Sequence, residues 1–277
     1  MRGIEVTMLA HERIGSGEPL VLVHGIGHRR QAWYPVVDRL AEHREVILLD
    51  LPGHGESPAL VPDGRPVKDQ LRDILEDFFV EQGLDRPHIA GNSLGGRIAL
   101  EAAADDLVSS ATTLAPAGFW RGSLDFLYIR AVFVALTGAA TLLEPVAPTL
   151  LRTAPGRAAA MGLLMTHGGR LDAEAVLGDV RGLVHAKPAL KTIIDGGEPF
   201  DRPIDPAIPV TVAWGARDLV LLPYQAGRAR KALPDATHVT LPKCGHVPMI
   251  DDVELVVDVL LEGSNHPRLG QARYDVA

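Results

Sequence analysis

The chain has one cysteine and no excess of basic charge, and each shortage excludes a class of protein. Cys244 alone cannot form an intramolecular disulfide or a cysteine-based metal cluster, so a reducing compartment, the cytoplasm, is expected. The 27 Lys and Arg residues face 35 Asp and Glu residues, which gives a formal net charge of −8 at pH 7. This balance provides no basic surface to neutralise a phosphate backbone, so nucleic acid is not expected as a partner.

Long apolar runs and cofactor motifs are also missing from the sequence. The longest strongly apolar stretch without charge is 131–143, shorter than the ~18 residues that a bilayer requires, so no membrane span is expected. The N-terminus lacks the apolar run of a secretory signal. The glycines of 25–27 lack the third glycine of a dinucleotide fingerprint, and the histidines show no metal-binding spacing. Neither a cofactor nor a metal is expected.

What the sequence does contain is an alternation of short apolar runs and amphipathic helical patterns. This alternation is the signature of βαβ units, and it predicts an α/β fold with a mostly parallel central sheet of about eight strands, flanked by helices. The predicted strands include 20–23, 45–49, 87–90, 111–115, 210–214 and 237–241. The predicted helices include 31–40, 67–82, 96–104, 224–233 and 253–261.

The alternation stops after the fourth of these strands and resumes only at residue 210. The sequence between them predicts several short helices, broken at Gly138, Pro145, Pro148, Pro155, Gly168 and Pro188. We therefore expect an inserted all-helical cap. The predicted organisation is a first core part at 1–117, the cap at 118–203, a second core part at 204–263 and a C-terminal tail at 264–277.

The string Gly91-Asn92-Ser93-Leu94-Gly95-Gly96 is the most informative motif in the chain. It lies between a predicted strand and a predicted helix, so Ser93 occupies a sharp corner where only small flanking residues fit. Such a corner pushes the serine hydroxyl out of the sheet toward a substrate and a base. A G-x-S-x-G string also arises by chance as a plain tight turn, so its context has to carry the interpretation.

Asp218 and His246 supply that context, because each follows a later predicted strand. The carboxyl ends of parallel strands share one edge of a sheet, so their loops can bring an acid and a base to Ser93. A serine hydroxyl needs such a base to become a nucleophile. Alone, Asp218 could be a turn former and His246 an ordinary loop histidine. The nearby Cys244 is interpreted as a packing residue.

Four motifs in this order resemble the α/β-hydrolase superfamily, of the serine type with a helical cap. They are 24–27, 50–57, 91–96 and the loops of Asp218 and His246, and the resemblance spans about 4–261. It implies an oxyanion hole made by the backbone N–H groups of Ile26 and Leu94. His24 is interpreted as a structural residue that holds the oxyanion loop through its ring, whereas His28 and His54 either line the crevice or have structural or solvent roles.

The resemblance implies cleavage of a carboxylic ester through an acyl-enzyme, with Ser93, Asp218 and His246 as catalytic residues. Large apolar side chains in the cap region favour a small or medium apolar substrate. Relatives with an aspartate nucleophile are excluded by Ser93. A carbon–carbon bond hydrolase stays an alternative, although Val247 stands where many of those enzymes have tryptophan. A perhydrolase, a lactonase and a ligand receptor also stay open, as do the natural substrate, the enantiopreference and the oligomeric state.

Overall fold

A central sheet of seven strands organises residues 9–61 and 63–264, which are the residues that this computed structural model describes. The strands are β1 (His11–Gly15), β2 (Pro19–Val23), β3 (Glu45–Leu49), β4 (His88–Asn92), β5 (Ser110–Leu114), β6 (Val210–Gly215) and β7 (Thr237–Leu241). Their order is β1-β3-β2-β4-β5-β6-β7, and every neighbouring pair is parallel except β1 with β3. The mostly parallel sheet is thus confirmed, with one strand fewer in the described residues than the expected eight.

Ten α-helices accompany the sheet in the described part of the chain. They are α1 (Tyr34–Ala41), α2 (Val67–Glu81), α3 (Leu94–Ala104), α4 (Ser123–Leu143), α5 (Ala147–Leu150), α6 (Ala154–Met161), α7 (Ala173–His185), α8 (Lys187–Asp195), α9 (Tyr224–Ala232) and α10 (Val253–Gly263). Short 3-10 helices span Arg30–Trp33, Gly168–Arg170 and Pro248–Ile250. Each helix predicted in the core from its apolar periodicity is present, with ends shifted by a few residues.

Both faces of the sheet are buried, as β2 illustrates. Leu20 and Leu22 pack in the apolar cluster that contains residues of α1 and α10. Val21 and Val23 alternate with them and pack in the cluster that contains residues of α2 and α3. Because successive side chains of a strand point to opposite faces, two covered faces require a continuous apolar run. This explains why the core strands can be read from the sequence as unbroken apolar runs.

The helices α4–α8 form a helical segment, residues 123–195, between β5 and β6. Pro148, Pro155 and Pro188 lie in the first turns of α5, α6 and α8, where a missing N–H costs nothing. The predicted break at Gly138 is wrong, because α4, which is 21 residues long, continues through this position. A single glycine costs a helix only about 1 kcal/mol relative to alanine, which the burial of Phe133 and Ala140 on the same helix offsets.

The length of α4 bears on membrane association. By length and composition alone, it is the one described helix that could cross a membrane, with a mean hydropathy of 1.8 and 22% of its most apolar window buried. Ile129, Phe133 and Ala140 are buried against the rest of the protein. Four large apolar residues of the helix are strongly exposed: Leu124, Leu127, Val134 and Leu142. The absence of a membrane span stays a prediction, as do the boundaries of the cap and of the tail, which lies beyond the described residues except for 264.

Buried polar contacts hold the loop after β2 against the loop after β3. Asp50 accepts the backbone N–H of Arg30 at 2.7 Å and the backbone N–H of Glu56 at 3.0 Å. The Arg30 guanidinium also pairs with the Asp50 carboxylate. Removing one partner of such a pair would leave the other charge buried and uncompensated, so the contacts hold the two loops in one arrangement.

Two buried histidines complete this junction in their neutral forms. The Leu51 N–H donates to Nε2 of His24 at 3.0 Å, so the proton of that ring is on Nδ1, which donates to the Gly25 carbonyl at 2.8 Å. Nδ1 of His54 donates to the Pro52 carbonyl at 3.0 Å. Burial lowers the pKa of His24 well below its usual range and lowers the pKa of His54 to about 4. These contacts agree with the structural role expected for His24.

We predict that acid destabilises the fold through these rings. In the unfolded chain His54 binds a proton below pH ~6.5, whereas in the folded protein it stays neutral down to about pH 4. The contribution of His54 to the free energy of unfolding is therefore complete above pH ~6.5 and is lost as the pH falls from there toward 4. Between pH 7 and 5, His54 should remove about 2 kcal/mol from the free energy of unfolding. Urea unfolding should show a flatter pH dependence in His54→Gln. The exposed His43→Gln serves as the control, and identical slopes in wild type and His54→Gln would contradict the assignment.

Candidate active site

Ser93 occupies the predicted corner between β4 and α3. Its backbone has φ 55° and ψ −110°, a sparsely populated conformation that costs a non-glycine residue about 1–3 kcal/mol. Close packing on both sides of the corner offsets that cost. A Cβ added to Gly91 would overlap the backbone of Gly95, and one added to Gly95 would overlap the carbonyl of Val23. The glycines are therefore required by contact between backbones, as the sequence indicates.

The corner is hydrogen-bonded to the neighbouring strand and loop. The N–H of Ser93 donates to the Leu114 carbonyl at 2.9 Å, and its carbonyl accepts the Ala117 N–H at 3.0 Å. The Ser93 side chain is largely buried, yet it lines a cavity of about 120 Å³ together with Ile26 and Leu94. The predicted nucleophile and both predicted oxyanion residues thus share one cavity.

Asp218 and His246 form the second part of the site. One carboxylate oxygen of Asp218 accepts the N–H groups of Val220 and Leu221, each at 2.8 Å. The other accepts Nδ1 of His246 at 2.8 Å. Both side chains are almost fully buried. The contact places the ring proton on Nδ1 and leaves Nε2 as the nitrogen able to accept a proton.

Asn92 ties the histidine loop to the serine corner. Its side-chain amide donates to the His246 carbonyl at 2.8 Å and to the Leu114 carbonyl at 3.0 Å. The loop after β2 approaches the same corner, because a Cβ on Gly25 would lie 3.2 Å from the Ser93 Cβ. Loops that follow β2, β4 and β7 therefore meet at one edge of the sheet, as the positions of the motifs predict.

The two predicted oxyanion residues occupy suitable backbone positions. Leu94 is the first residue of α3, so its N–H has no partner within the helix and lies at the positive end of the helix dipole. Ile26 lies in the turn that the N–H of His28 closes on the Gly25 carbonyl at 3.1 Å. Both residues line the cavity of Ser93.

Sequence reasoning did not identify three other contributors to the site. Asn92 was inside the serine motif, but its role depends on a loop 154 residues away. Asp251 accepts the Gly245 N–H at 2.8 Å and the Thr166 N–H at 3.0 Å, and so joins the histidine loop to the helical segment. Asp179 of α7 pairs with Arg29, Oδ1 to Nε at 3.1 Å, next to the oxyanion loop. The last two link elements far apart in sequence and leave no local pattern.

Cys244 belongs to the packing of the site. It is fully buried in an apolar cluster, and burial raises the pKa of its thiol to about 12. A thiol with that pKa is protonated at neutral pH and is a poor nucleophile. The interpretation as a packing residue agrees with this environment.

The remaining predicted histidines, His28 and His54, are not among the described residues that line the Ser93 cavity. His28 lines a second cavity, of about 80 Å³, and His54 holds its own loop. A larger cavity of about 220 Å³ lies where β6 and β7 begin, near Ile208 and Thr237, and contains none of the predicted site residues. Among the described residues, no group of three or more His, Cys, Asp or Glu side chains could hold a metal ion.

Comparison with known proteins gives matches over most of the chain. The model of the Alpha/beta hydrolase family matches residues 20–259. The chain is 30% identical over 239 residues to the pimeloyl-[acyl-carrier protein] methyl ester esterase of Pectobacterium atrosepticum. This alignment covers 83% of this chain and 88% of that protein. A solved membrane phospholipase A, described as a bacterial virulence factor, has a TM-score of 0.71 at 25% identity, covering 94% of this chain and 84% of the other.

A shorter match is closer in sequence. Over 88 residues the chain is 43% identical to the (E)-2-((N-methylformamido)methylene)succinate hydrolase of Acinetobacter baylyi. The aligned region covers 30% of this chain and 31% of that protein. The chain also spans only 63% and 61% of two acetyltransferase components of acetoin-cleaving systems. The chain thus spans less than two thirds of the length of each of these three curated relatives. The family match over residues 20–259 includes Ser93, Asp218 and His246. The chain belongs to the alpha/beta hydrolase family.

Proposed function

We propose that the protein is a serine hydrolase that cleaves carboxylic esters of small to medium apolar substrates. The observation that carries the proposal is the buried hydrogen bond between Asp218 and His246, in a loop that Asn92 binds directly beside Ser93. An oriented imidazole on a loop that is bound to the corner of a strained, cavity-lining serine is the arrangement that acyl transfer requires. A structural role alone would not need all three groups at one edge of the sheet.

In the proposed reaction, Oγ of Ser93 attacks the ester carbonyl while Nε2 of His246 takes its proton. The N–H groups of Ile26 and Leu94 stabilise the oxyanion, and each such donor contributes about 3–4 kcal/mol. The intermediate collapses, and the imidazolium gives its proton to the departing alkoxide. Water activated by His246 then attacks the acyl-enzyme, which releases the acid and restores Ser93. Asp218 holds the ring and stabilises its positive charge.

The lining of the Ser93 cavity supports an apolar substrate. Its walls come from α2, α3, the helical segment and the loop before it. That loop contributes Trp120, and the segment contributes Phe126, Ile129, Phe133, Ile193 and Ile194. An apolar acyl or aryl group gains free energy by entering such a site. In this proposal residues 118–203 act as a cap over the site. A cytoplasmic location is also proposed, on the basis of the single, buried Cys244.

We predict that Ser93→Ala lowers kcat for p-nitrophenyl butyrate by roughly four to six orders of magnitude, because no other residue can form the acyl-enzyme. Thermal unfolding should show an intact fold. Labelling with a fluorophosphonate, followed by mass spectrometry, should modify Ser93 in the wild type. The exposed Ser123→Ala is the matched control. Undiminished turnover by Ser93→Ala would refute the proposal, and lactones and a dienoate diketone assayed in parallel test the alternative reactions.

A second prediction concerns Asp218→Asn. The amide oxygen can still accept the N–H groups of Val220 and Leu221, but the NH₂ group then faces Nδ1 of His246. The ring must accept there and carry its proton on Nε2, which cannot take the serine proton. We expect kcat to fall by about 10³–10⁴ with little change in melting temperature. The loop variant Asp205→Asn should behave as wild type. Equal kcat values for Asp205→Asn and Asp218→Asn would contradict the catalytic role of Asp218.

A third prediction tests whether Ser93 or the thiol of Cys244 is the nucleophile. With a pKa of about 12, Cys244 should not react with Ellman's reagent at pH 8 within minutes in the native protein. The same thiol should react stoichiometrically in guanidinium chloride, which is the internal control. Conversion of ester should survive Cys244→Ser. Rapid labelling of the native thiol that parallels loss of activity would instead make Cys244 the nucleophile.

A further inference from the structure

The second cavity, of about 80 Å³, shares a wall with the cavity of Ser93. Ile26 and Phe133 line both of them. The second cavity is enclosed mostly by apolar residues of the helical segment, in its helices and in the loops between them, including Leu136, Ala140, Leu151, Met161, Leu164 and Leu183. Its volume is several times the ~10–15 Å³ that one water molecule needs on this measure. It can therefore hold a short apolar chain.

This cavity adjoins the loop of His246. Leu164, one of its lining residues, accepts the N–H of Val247 at 2.8 Å through its carbonyl. A Cβ on Gly245 would lie 2.8 Å from the same carbonyl oxygen. The backbone on both sides of His246 thus contacts the wall of the cavity. In the proposed reaction His246 protonates the leaving group, so the leaving group lies on this side of Ser93.

Among the described residues, the polar side chains that line this cavity are those of His28 and Asp179. Asp179 is occupied by the guanidinium of Arg29. His28 is buried, and its Nδ1 has no hydrogen-bond partner among the described residues. Burial lowers the pKa of His28, so its imidazole is neutral and offers one donor and one acceptor. A buried polar group without a partner is costly, which points to a partner that binds from outside.

We propose that the second cavity binds the alcohol part of the ester, and that the His28 imidazole hydrogen-bonds a polar atom carried by that part. The inference rests on the proposed ester hydrolysis and specifies its substrate class. The favoured substrates are esters of an apolar acid with an alcohol whose chain is mostly apolar and carries a hydroxyl or carbonyl group. Phe133, in the wall between the cavities, separates the acid part from the alcohol part.

The test compares hexyl butyrate with hydroxypentyl butyrate, in which a hydroxyl replaces the terminal methyl. Wild type should favour the hydroxylated ester in kcat/KM, and His28→Phe should reduce that preference about five- to tenfold, mainly through KM. Methyl butyrate, which lacks the chain, is the reference ester, and each preference is expressed relative to its cleavage by the same protein. His28→Asn, which can still hydrogen-bond, should retain part of the preference, and the exposed His43→Phe should retain all of it.

A crossed pair of variants tests the assignment of the cavities. Ala140→Phe, at a buried lining position, fills the second cavity and should lower kcat/KM for long alcohols about tenfold, with long acids unaffected. Val67→Phe fills the Ser93 cavity and should do the reverse. If methyl butyrate is cleaved but His28→Phe leaves the preference unchanged, or the crossed variants exchange their effects, the inference is overturned while the proposed function stands. If no butyrate is cleaved, both fail.

Discussion

The site depends on the contact between two backbones, where β4 passes under the first turn of α3. Gly91 allows this approach, because a Cβ there would overlap the backbone of Gly95, and Gly95 in turn allows α3 to approach the end of β2, where a Cβ would overlap the carbonyl of Val23. The approach forces Ser93 into its strained conformation, and the buried packing of the sheet and helix sustains the strain. Every other group at the site is placed relative to this corner. The family match over residues 20–259 is consistent with an architecture organised around it.

Around the corner, buried polar side chains replace the hydrogen bonds that irregular loops cannot make for themselves. Asn92 binds the carbonyl of His246, Asp251 binds the N–H of Gly245, and Asp50 binds the loop that carries Arg30. These contacts fix loops of different strands at one edge of the sheet. Neutral histidines fit this setting because burial disfavours their charged form, as at His24 and His54.

Local physics explains which features could be predicted. Strands buried on both faces appear as apolar runs, and the corner of Ser93 follows from its glycines, so the sheet and the position of the serine were accessible from the sequence. Gly138 shows the limit of local rules, because packing of Phe133 and Ala140 outweighs the weak helix propensity of one glycine. The ion pair of Arg29 and Asp179 and the contacts of Asp251 join distant segments, so no pattern within a short window indicates them.

The hydrogen bond between Asn92 and His246 has a consequence for protein synthesis. Its two partners are 154 residues apart in the chain, and β5, the helical segment, β6 and β7 are all made between them. While a ribosome is still translating those elements, the imidazole has not yet joined the serine corner. Domains fold largely as units as they emerge. Under the proposed function, a nascent chain that already contains Ser93 therefore lacks its base until the loop after β7 has been made and has packed against Asn92.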